Sequence, residues 1–114
     1  PFSMTYKSSN EAEKRILQQR SLSNNLISAK SNILFLDRYL EILKPGGEML
    51  IVLDDTILNG ATCLNIREWL IKNFVIIGIH SLPFNAFFKA KANIKTSILH
   101  ARKKVDESEK QGYI

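Results

Sequence analysis

The sequence predicts an α/β fold that corresponds to the C-terminal half of a doubly wound sheet, with its last strand antiparallel. Between positions 31 and 104, helical stripes of apolar residues alternate with short apolar runs of strand length. The connection before the last run has no helical period, and such a loop returns a strand antiparallel to its neighbour. Because no earlier strands precede these elements and the chain opens without an initiator Met, we expect a piece of a larger protein.

The N-terminal section, residues 1–30, is the least regular. Asn10 and Glu13 stand at the spacing of a capping box, which predicts a helix from there to about Gln19. Positions 21–30 are polar without a clear period, which predicts a mobile loop with helix from about Ala29.

A helical stripe opens the regular part of the chain, residues 31–104. Its members recur at the helical period: Ile33, Leu36, Leu40 and Leu43. Pro45-Gly46-Gly47 cannot continue that helix. The apolar run Met49–Leu53 is then predicted to be a strand covered on both faces, as in a parallel sheet.

A second helix and two further strands follow. Asn65 and Glu68 repeat the capping-box spacing, and Trp69 lies on the apolar side of the helix that they predict. The strands are predicted at Val75–Leu82 and Ile94–Ala101, joined by a loop. The remaining residues, 105–114, form a charged tail that we expect to be disordered.

Composition limits the classes of protein that this chain can represent. Its 114 residues form one domain at most, and no apolar run is long enough to cross a bilayer. Without a signal segment, we expect a cytoplasmic protein with no membrane partner. One cysteine cannot form an internal disulfide, which agrees with a reducing compartment. The net charge of +5 permits nucleic-acid binding without specifying it.

Few titratable residues stand in a catalytic arrangement. Asp54 and Asp55 end a strand at its carboxyl edge, where ligands bind in open α/β sheets. No histidine or third ligand stands near them in sequence, so we interpret both as turn and cap residues and predict no metal site. His80 and His100 lie within strands and are expected to be structural, as is the lone Cys63.

Several short motifs, taken in order, resemble one enzyme family. They are Leu43–Gly47, Ile51–Asp54, Asn59-Gly60, Arg67–Phe74, Ser81–Phe84 and Asn93–Leu99. The set is similar to the C-terminal half of the catalytic domain of N6-adenine DNA methyltransferases, and above all to the modification (M) subunit of bacterial type I restriction-modification systems. Pro1-Phe2 resembles the last two residues of that family's Asn-Pro-Pro-Phe motif.

The resemblance implies a partial Rossmann-like, S-adenosylmethionine-dependent methyltransferase fold. The parent enzyme would transfer a methyl group from S-adenosylmethionine to adenine N6 in DNA, after flipping the base out of the duplex. Pro1 and Phe2 would be the remnant of the catalytic motif. Because the Asn, the first Pro and the glycine-rich cofactor turn are absent, we expect no cofactor-binding residues here and no activity from the isolated chain.

The loop between the last two strands carries the predicted contacts to the base and to DNA. By resemblance, an aromatic ring of this loop stacks on the flipped base, and the alternative for each ring is to cover the sheet edge. Lysines here suit phosphate contact, or else keep a solvated loop soluble. The candidates are Phe84, Phe87, Phe88, Lys89, Lys91 and Lys95, with Phe87 or Phe88 favoured as the base-facing ring.

Other functions and several partners remain open on the sequence alone. The chain could belong to an RNA or protein methyltransferase, or be a non-catalytic basic interaction domain that keeps a relic of the fold. The partners implied by the leading interpretation are DNA, the other half of the domain, and specificity and restriction subunits. An exposed edge at Met49–Leu53 also predicts self-association, unless the N-terminal helix covers it.

Overall fold

A computed structural model describes residues 5–19, 28–87, 89 and 94–112 of the chain. The chain divides into two compact units, Pro1–Ile42 and Leu43–Ile114. No helix among the described residues is long and apolar enough to cross a membrane.

The first unit is a short antiparallel ribbon accompanied by two helices. Its elements are β1 (Thr5–Lys7), α1 (Glu11–Gln18), β2 (Ser28–Lys30) and α2 (Ser31–Ile42). Tyr6 pairs with Ala29 in the ribbon, and the buried side chains of Leu17 and Leu34 pack with Tyr6. The prediction of a loop up to residue 30 is wrong for β2, because a strand of three residues is too short for its period to appear in the sequence.

Helix α1 begins as the capping-box spacing predicts, although only half of the box forms. The Asn10 side chain accepts hydrogen bonds from the backbone N–H groups of Ala12 and Glu13, at 3.0 and 3.2 Å. The Glu13 carboxylate reaches back past Asn10 and accepts from the Lys7 N–H at 3.4 Å. The Asn10 N–H donates instead to the Lys7 carbonyl, so the turn before the helix replaces the second arm of the box.

The second unit is a three-stranded antiparallel sheet. Its elements are β3 (Glu48–Asp54), α3 (Asp55–Asn59), a 3-10 turn (Ala61–Cys63), α4 (Leu64–Asn73), β4 (Phe74–Ser81) and β5 (Thr96–Lys103). The strand order is β3-β5-β4, and β5 is antiparallel to both neighbours. The predicted antiparallel last strand is therefore confirmed, and it lies between the other two. Gly46, with φ of 81°, supplies the left-handed turn that leads into β3.

One face of this sheet is buried and the other is largely open. The buried face carries Met49, Leu53, Phe74, Ile76, Leu99 and Ala101, and α4 adds the buried Ile66 and Leu70. On the opposite face Leu50 pairs with His100 and is 70% exposed. The prediction that Met49–Leu53 is covered on both faces is therefore wrong for this chain, because a continuous apolar run does not show whether its second face has a cover.

Two local predictions around α3 and α4 need correction. Asp54 and Asp55 were expected to be turn and cap residues; Asp54 is a cap and accepts the Thr56 N–H at 3.1 Å, but Asp55 is the first residue of a short helix. Asn65 was expected to cap the next helix, but it lies inside α4, which makes no side-chain cap hydrogen bond. The 3-10 turn that ends at Cys63 leads directly into α4, which therefore starts at Leu64 without a capping side chain.

The outer edge of β4 is occupied by the C-terminal segment, residues 104–112. The Gln111 carboxamide accepts from the Ile76 N–H at 2.6 Å and donates to the Ile76 carbonyl at 2.9 Å. Arg102 donates two hydrogen bonds to the Glu109 carboxylate, which also accepts the Val105 N–H at 2.9 Å. Disorder was expected for residues 105–114, yet Glu109 and Gln111 make the defined contacts with the sheet given above; the last two residues lie outside the described part of the chain.

We predict that acid releases the C-terminal segment. Hydrogen bonds from Arg102 and from the Val105 N–H lower the pKa of Glu109, so its stabilising contribution is present at neutral pH and is lost as pH falls through that lowered pKa. The protection of the Ile76 amide against hydrogen exchange, relative to the intrinsic rate at each pH, should therefore fall below about pH 4, near the ordinary glutamate value. Asp106, whose pKa Ser108 lowers, titrates in the same range. The variant Glu109→Gln separates the two groups, because its Ile76 amide should be weakly protected at every pH.

Candidate functional site

The candidate site lies where the carboxyl ends of β3 and β4 meet the start of β5. The loop 82–95 connects β4 to β5, and the structure describes its residues 82–87, 89, 94 and 95. Two main-chain hydrogen bonds of 3.0 Å hold the loop ends: the Leu82 N–H donates to the Thr96 carbonyl, and the Asp55 N–H donates to the Lys95 carbonyl. The base of the loop is thus tied both to β5 and to the first residue of α3.

Four side chains form a polar group at the base of this loop, which we call the Asp55 network: Asp55, Ser81, Lys95 and Ser97. The Ser97 hydroxyl donates to Asp55 Oδ1 at 2.8 Å. Lys95 Nζ donates to Ser81 Oγ at 2.5 Å and lies 3.7 Å from Asp55 Oδ2. Each of the three elements β4, β5 and α3 contributes at least one member, so the network bridges them.

Arg67 fixes the other side of the site. Its Nη1 donates to the carbonyls of Gly60 and Ile57, at 2.7 and 3.1 Å. The Ile57 carbonyl lies in the last turn of α3, where carbonyls lack partners within the helix. The Gly60 carbonyl lies just beyond the helix and also accepts the Cys63 N–H at 3.2 Å. Arg67 on α4 therefore holds the end of the short helix whose first residue is Asp55.

The predicted base-contact and DNA-contact residues fall into three groups. Phe84 is 56% exposed, and Phe87 is half-buried. Lys89 is exposed, whereas Lys95 belongs to the Asp55 network. Pro1, Phe2, Phe88 and Lys91 lie outside the described residues. The structure therefore brings Phe84, Phe87, Lys89 and Lys95 to one loop, and their contacts with DNA stay predictions.

Sequence reasoning missed the contact between Asp55 and Ser97 and the burial of Thr96. Asp54 is the cap that was predicted, but the Asp55 carboxylate reaches across to β5. Thr96 pairs with Asp54, is fully buried, and its hydroxyl oxygen has no hydrogen-bond partner among the described residues. The only sequence signal was the pair of hydroxyl residues Thr96 and Ser97 directly after Lys95. The strand register was needed to place them beside Asp54 and Asp55, 42 positions earlier.

The remaining titratable candidates lie away from this loop. His100 Nε2 lies 3.2 Å from Glu48 Oε1, near the opposite end of β3. His80 is exposed, and Cys63 is half-buried with a free thiol. Among the described residues no three histidine, cysteine or carboxylate side chains are grouped to hold a metal ion.

Comparison with known proteins gives this site its context. A family model described as N-6 DNA methylase matches residues 1–114. The chain belongs to the N-6 DNA methylase family. No curated protein sequence matches this family member.

A solved structure supports the fold of this N-6 DNA methylase chain. It is a 2.20 Å crystal structure from Listeria monocytogenes that is assigned to the class I S-adenosylmethionine-dependent methyltransferases. The TM-score is 0.71 at 21% identity, and the match covers 98% of this chain but 32% of the other. The predicted partial Rossmann-like methyltransferase fold is therefore confirmed, and the chain spans about a third of the length of that neighbour.

Family and fold imply S-adenosylmethionine as the cofactor of the parent enzyme, so we tested whether this N-6 DNA methylase chain can hold it. The described glycine pair, Gly46-Gly47, leads into the start of β3, whereas a cofactor cradle of this fold class follows the end of a strand. The three strands of the second unit continue into Asp55, Leu82 and Lys104, and β1 and β2 continue into Ser8 and Ser31. These residues do not fit a cofactor cradle.

Proposed function

We propose that this chain is part of the catalytic domain of a type I-like modification methyltransferase that transfers a methyl group to adenine N6 in DNA. The observation that carries the proposal is the N-6 DNA methylase match over all 114 residues. The loop 82–95 supports it, because aromatic and cationic side chains stand together at the carboxyl edge of β4. Ligands of open α/β sheets bind at this edge.

In this proposal the loop receives the flipped adenine. Phe84 and Phe87 present rings at the loop, Phe84 with more than half of its surface available for stacking. Phe88 is a third candidate ring, and Pro1 and Phe2 keep the assignment that the resemblance gives them, as the remnant of the catalytic motif. An aromatic ring that stacks on a base contributes about 1–3 kcal/mol.

The lysines of the loop are assigned to the DNA backbone. Lys89 is exposed and makes no hydrogen bond or ion pair with the described residues. Lys91 is expected to act with it. Such contacts strengthen binding to any sequence, while the base pocket selects adenine. Lys95 belongs to the same loop but is engaged by Ser81 and Asp55.

The proposed partners follow from the same assignment. They are DNA, the remainder of the methyltransferase domain, the specificity and restriction subunits of a type I system, and a second copy through the outer edge of β3. The last is supported by Leu50, which is exposed on a strand that pairs with β5 alone among the described strands. We place the protein in the cytoplasm, and we propose that the isolated chain is inactive because its described strand ends fit no cofactor cradle.

The experiment is methylation of duplex DNA by the full-length parent enzyme, with the modified nucleoside identified by mass spectrometry. We expect N6-methyladenine from the parent and none from the 114-residue chain alone. Replacing the base-stacking ring, tested as Phe84→Ala and Phe87→Ala, should lower kcat/KM by about tenfold or more, from the lost stacking energy.

The matched control is Phe35→Ala, because Phe35 is 54% exposed on α2 and has no place in the proposed pocket. It should leave kcat/KM unchanged. A methylated cytosine, a methylated RNA or protein, or a parent that binds DNA without methylating it would contradict the proposal. Activity of the isolated chain would overturn its assignment as the inactive part.

A further inference from the structure

We infer that Asp55 and Lys95 form a positioning pair that holds the C-terminal end of the loop 82–95 against α3, and that Lys95 does not contact DNA phosphate. The inference rests on the proposed function for the purpose of the loop. It changes the expectation that Lys95 acts with Lys89 and Lys91, and it gives Asp55 a role beyond starting a helix.

The hydrogen-bonding capacity of Lys95 carries the first step. A lysine ammonium has three protons to donate. Lys95 Nζ donates to Ser81 Oγ at 2.5 Å and to the Thr96 carbonyl at 3.2 Å, and the Asp55 carboxylate lies 3.7 Å away. All three protons therefore have an acceptor or an anion within the protein, and a phosphate oxygen would have to displace one of them.

The placement of Asp55 carries the second step. Its N–H donates to the Lys95 carbonyl, while its carboxylate accepts from the Ser97 hydroxyl and faces the Lys95 ammonium. Asp55 thus contacts Lys95 through both its main chain and its side chain. It also binds Ser97, the second residue of β5. The end of the loop is fixed against α3 at three points.

Burial and charge carry the third step. The side chains of Asp55 and Lys95 are 26% and 36% exposed, so the pair is partly withdrawn from water and its charges offset each other. Lys89, six positions earlier, is exposed and has no such partner among the described residues. The two lysines therefore have different roles: Lys89 is available to a phosphate, and Lys95 holds the end of the loop against α3 and β4.

The first arm of the test measures loop order without DNA. In Asp55→Asn the amide oxygen still accepts from Ser97, but the charge facing Lys95 is lost. Tryptic cleavage after Lys89, followed by mass spectrometry on the 114-residue chain, should accelerate by about two- to tenfold, the change expected for one lost polar interaction. Lys95→Gln should do the same, and Lys95→Arg should restore slow cleavage because it keeps the charge and the donors.

The control variant is Glu48→Gln, which removes a carboxylate paired with His100 near the other end of β3. It should leave cleavage after Lys89 unchanged. Thermal unfolding of each variant identifies any general loss of stability, which would accelerate cleavage at every lysine and not at Lys89 alone. Unchanged cleavage in both Asp55→Asn and Lys95→Gln would overturn the positioning role.

The second arm measures DNA binding against salt concentration. The probe is a short DNA duplex with one unpaired adenine. Loss of a phosphate contact lowers the slope of log K against log salt concentration by about 0.9. We expect that reduction for Lys89→Gln and an unchanged slope for Lys95→Gln. An equal reduction in both variants would make Lys95 a phosphate contact and overturn the inference. Binding is measured with the full-length parent enzyme, because the isolated chain is proposed to be an incomplete part. If the unmodified parent binds no DNA, the DNA assignment of the loop fails, while the cleavage arm still decides the role of Asp55 and Lys95.

Discussion

Replacing Phe74 with alanine is expected to lower the free energy of unfolding by about 3–5 kcal/mol, the range for emptying a buried aromatic site. Phe74 is 0% exposed at the start of β4, and its ring lies against Trp69 with 6.0 Å between centroids. Urea unfolding followed by far-ultraviolet circular dichroism measures the change. A loss of this size is a large share of the total stability of a small domain.

Phe84→Ala is the matched control for this substitution, because Phe84 is more than half exposed in the loop of the same unit. It should change the unfolding free energy by no more than about 0.5 kcal/mol. If Phe74→Ala fails to fold, Phe74→Leu should give a smaller, measurable loss, because it fills most of the same volume. Equal stability of the alanine variants at both positions would contradict the packing described for β4.

Arg67→Ala is expected to lower the free energy of unfolding by about 2–3 kcal/mol, since a charged donor to two main-chain carbonyls is lost. Its guanidinium donates to the carbonyls of Gly60 and Ile57 at the end of α3, and no other side chain among the described residues donates to them. Arg67→Lys should recover part of the loss, because an ammonium carries charge without the planar fork of donors. Thermal unfolding measures all three proteins.

The control is another arginine, Arg38 on α2. It forms an ion pair with Glu41, and the two side chains are 49% and 54% exposed. Arg38→Ala should cost no more than about 0.5 kcal/mol, the usual value for such a pair on a helix surface. If Arg67→Ala lowers the free energy of unfolding no more than Arg38→Ala does, α3 does not depend on the hydrogen bonds that Arg67 donates to its end.

The elements between residues 31 and 104 were predictable because their apolar patterns are long enough to show a period. The stripe of α2 and the apolar runs of β3 and β4 give both type and order. Short elements were missed for the opposite reason: β2 has three residues, and α3 has five. Local capping rules succeeded at Asn10 and Asp54, where a helix starts from extended chain. They failed at Asn65, where a 3-10 turn already precedes the helix.

The candidate site was only half predictable. The loop with its rings and lysines stands out in the sequence as a cluster of neighbouring residues. The Asp55 network does not, because Ser97 and Asp55 are 42 positions apart and meet only through the pairing of β5 with β3. Sequence alone also treated Lys89 and Lys95 as equivalent. Their difference depends on which acceptors the fold brings to Lys95.

The two hydrogen bonds between Gln111 and Ile76 restrict the edge at which a further strand can join the sheet. The N–H and carbonyl of Ile76 are already hydrogen-bonded, so a strand that paired with the outer edge of β4 would have to displace the Gln111 carboxamide. On the opposite flank, alternate peptide groups of β3 point away from β5, as in any antiparallel ladder. If the proposed partners add strands to this sheet, the remainder of the domain and a second copy would therefore compete for β3, and incorporation of one would exclude the other.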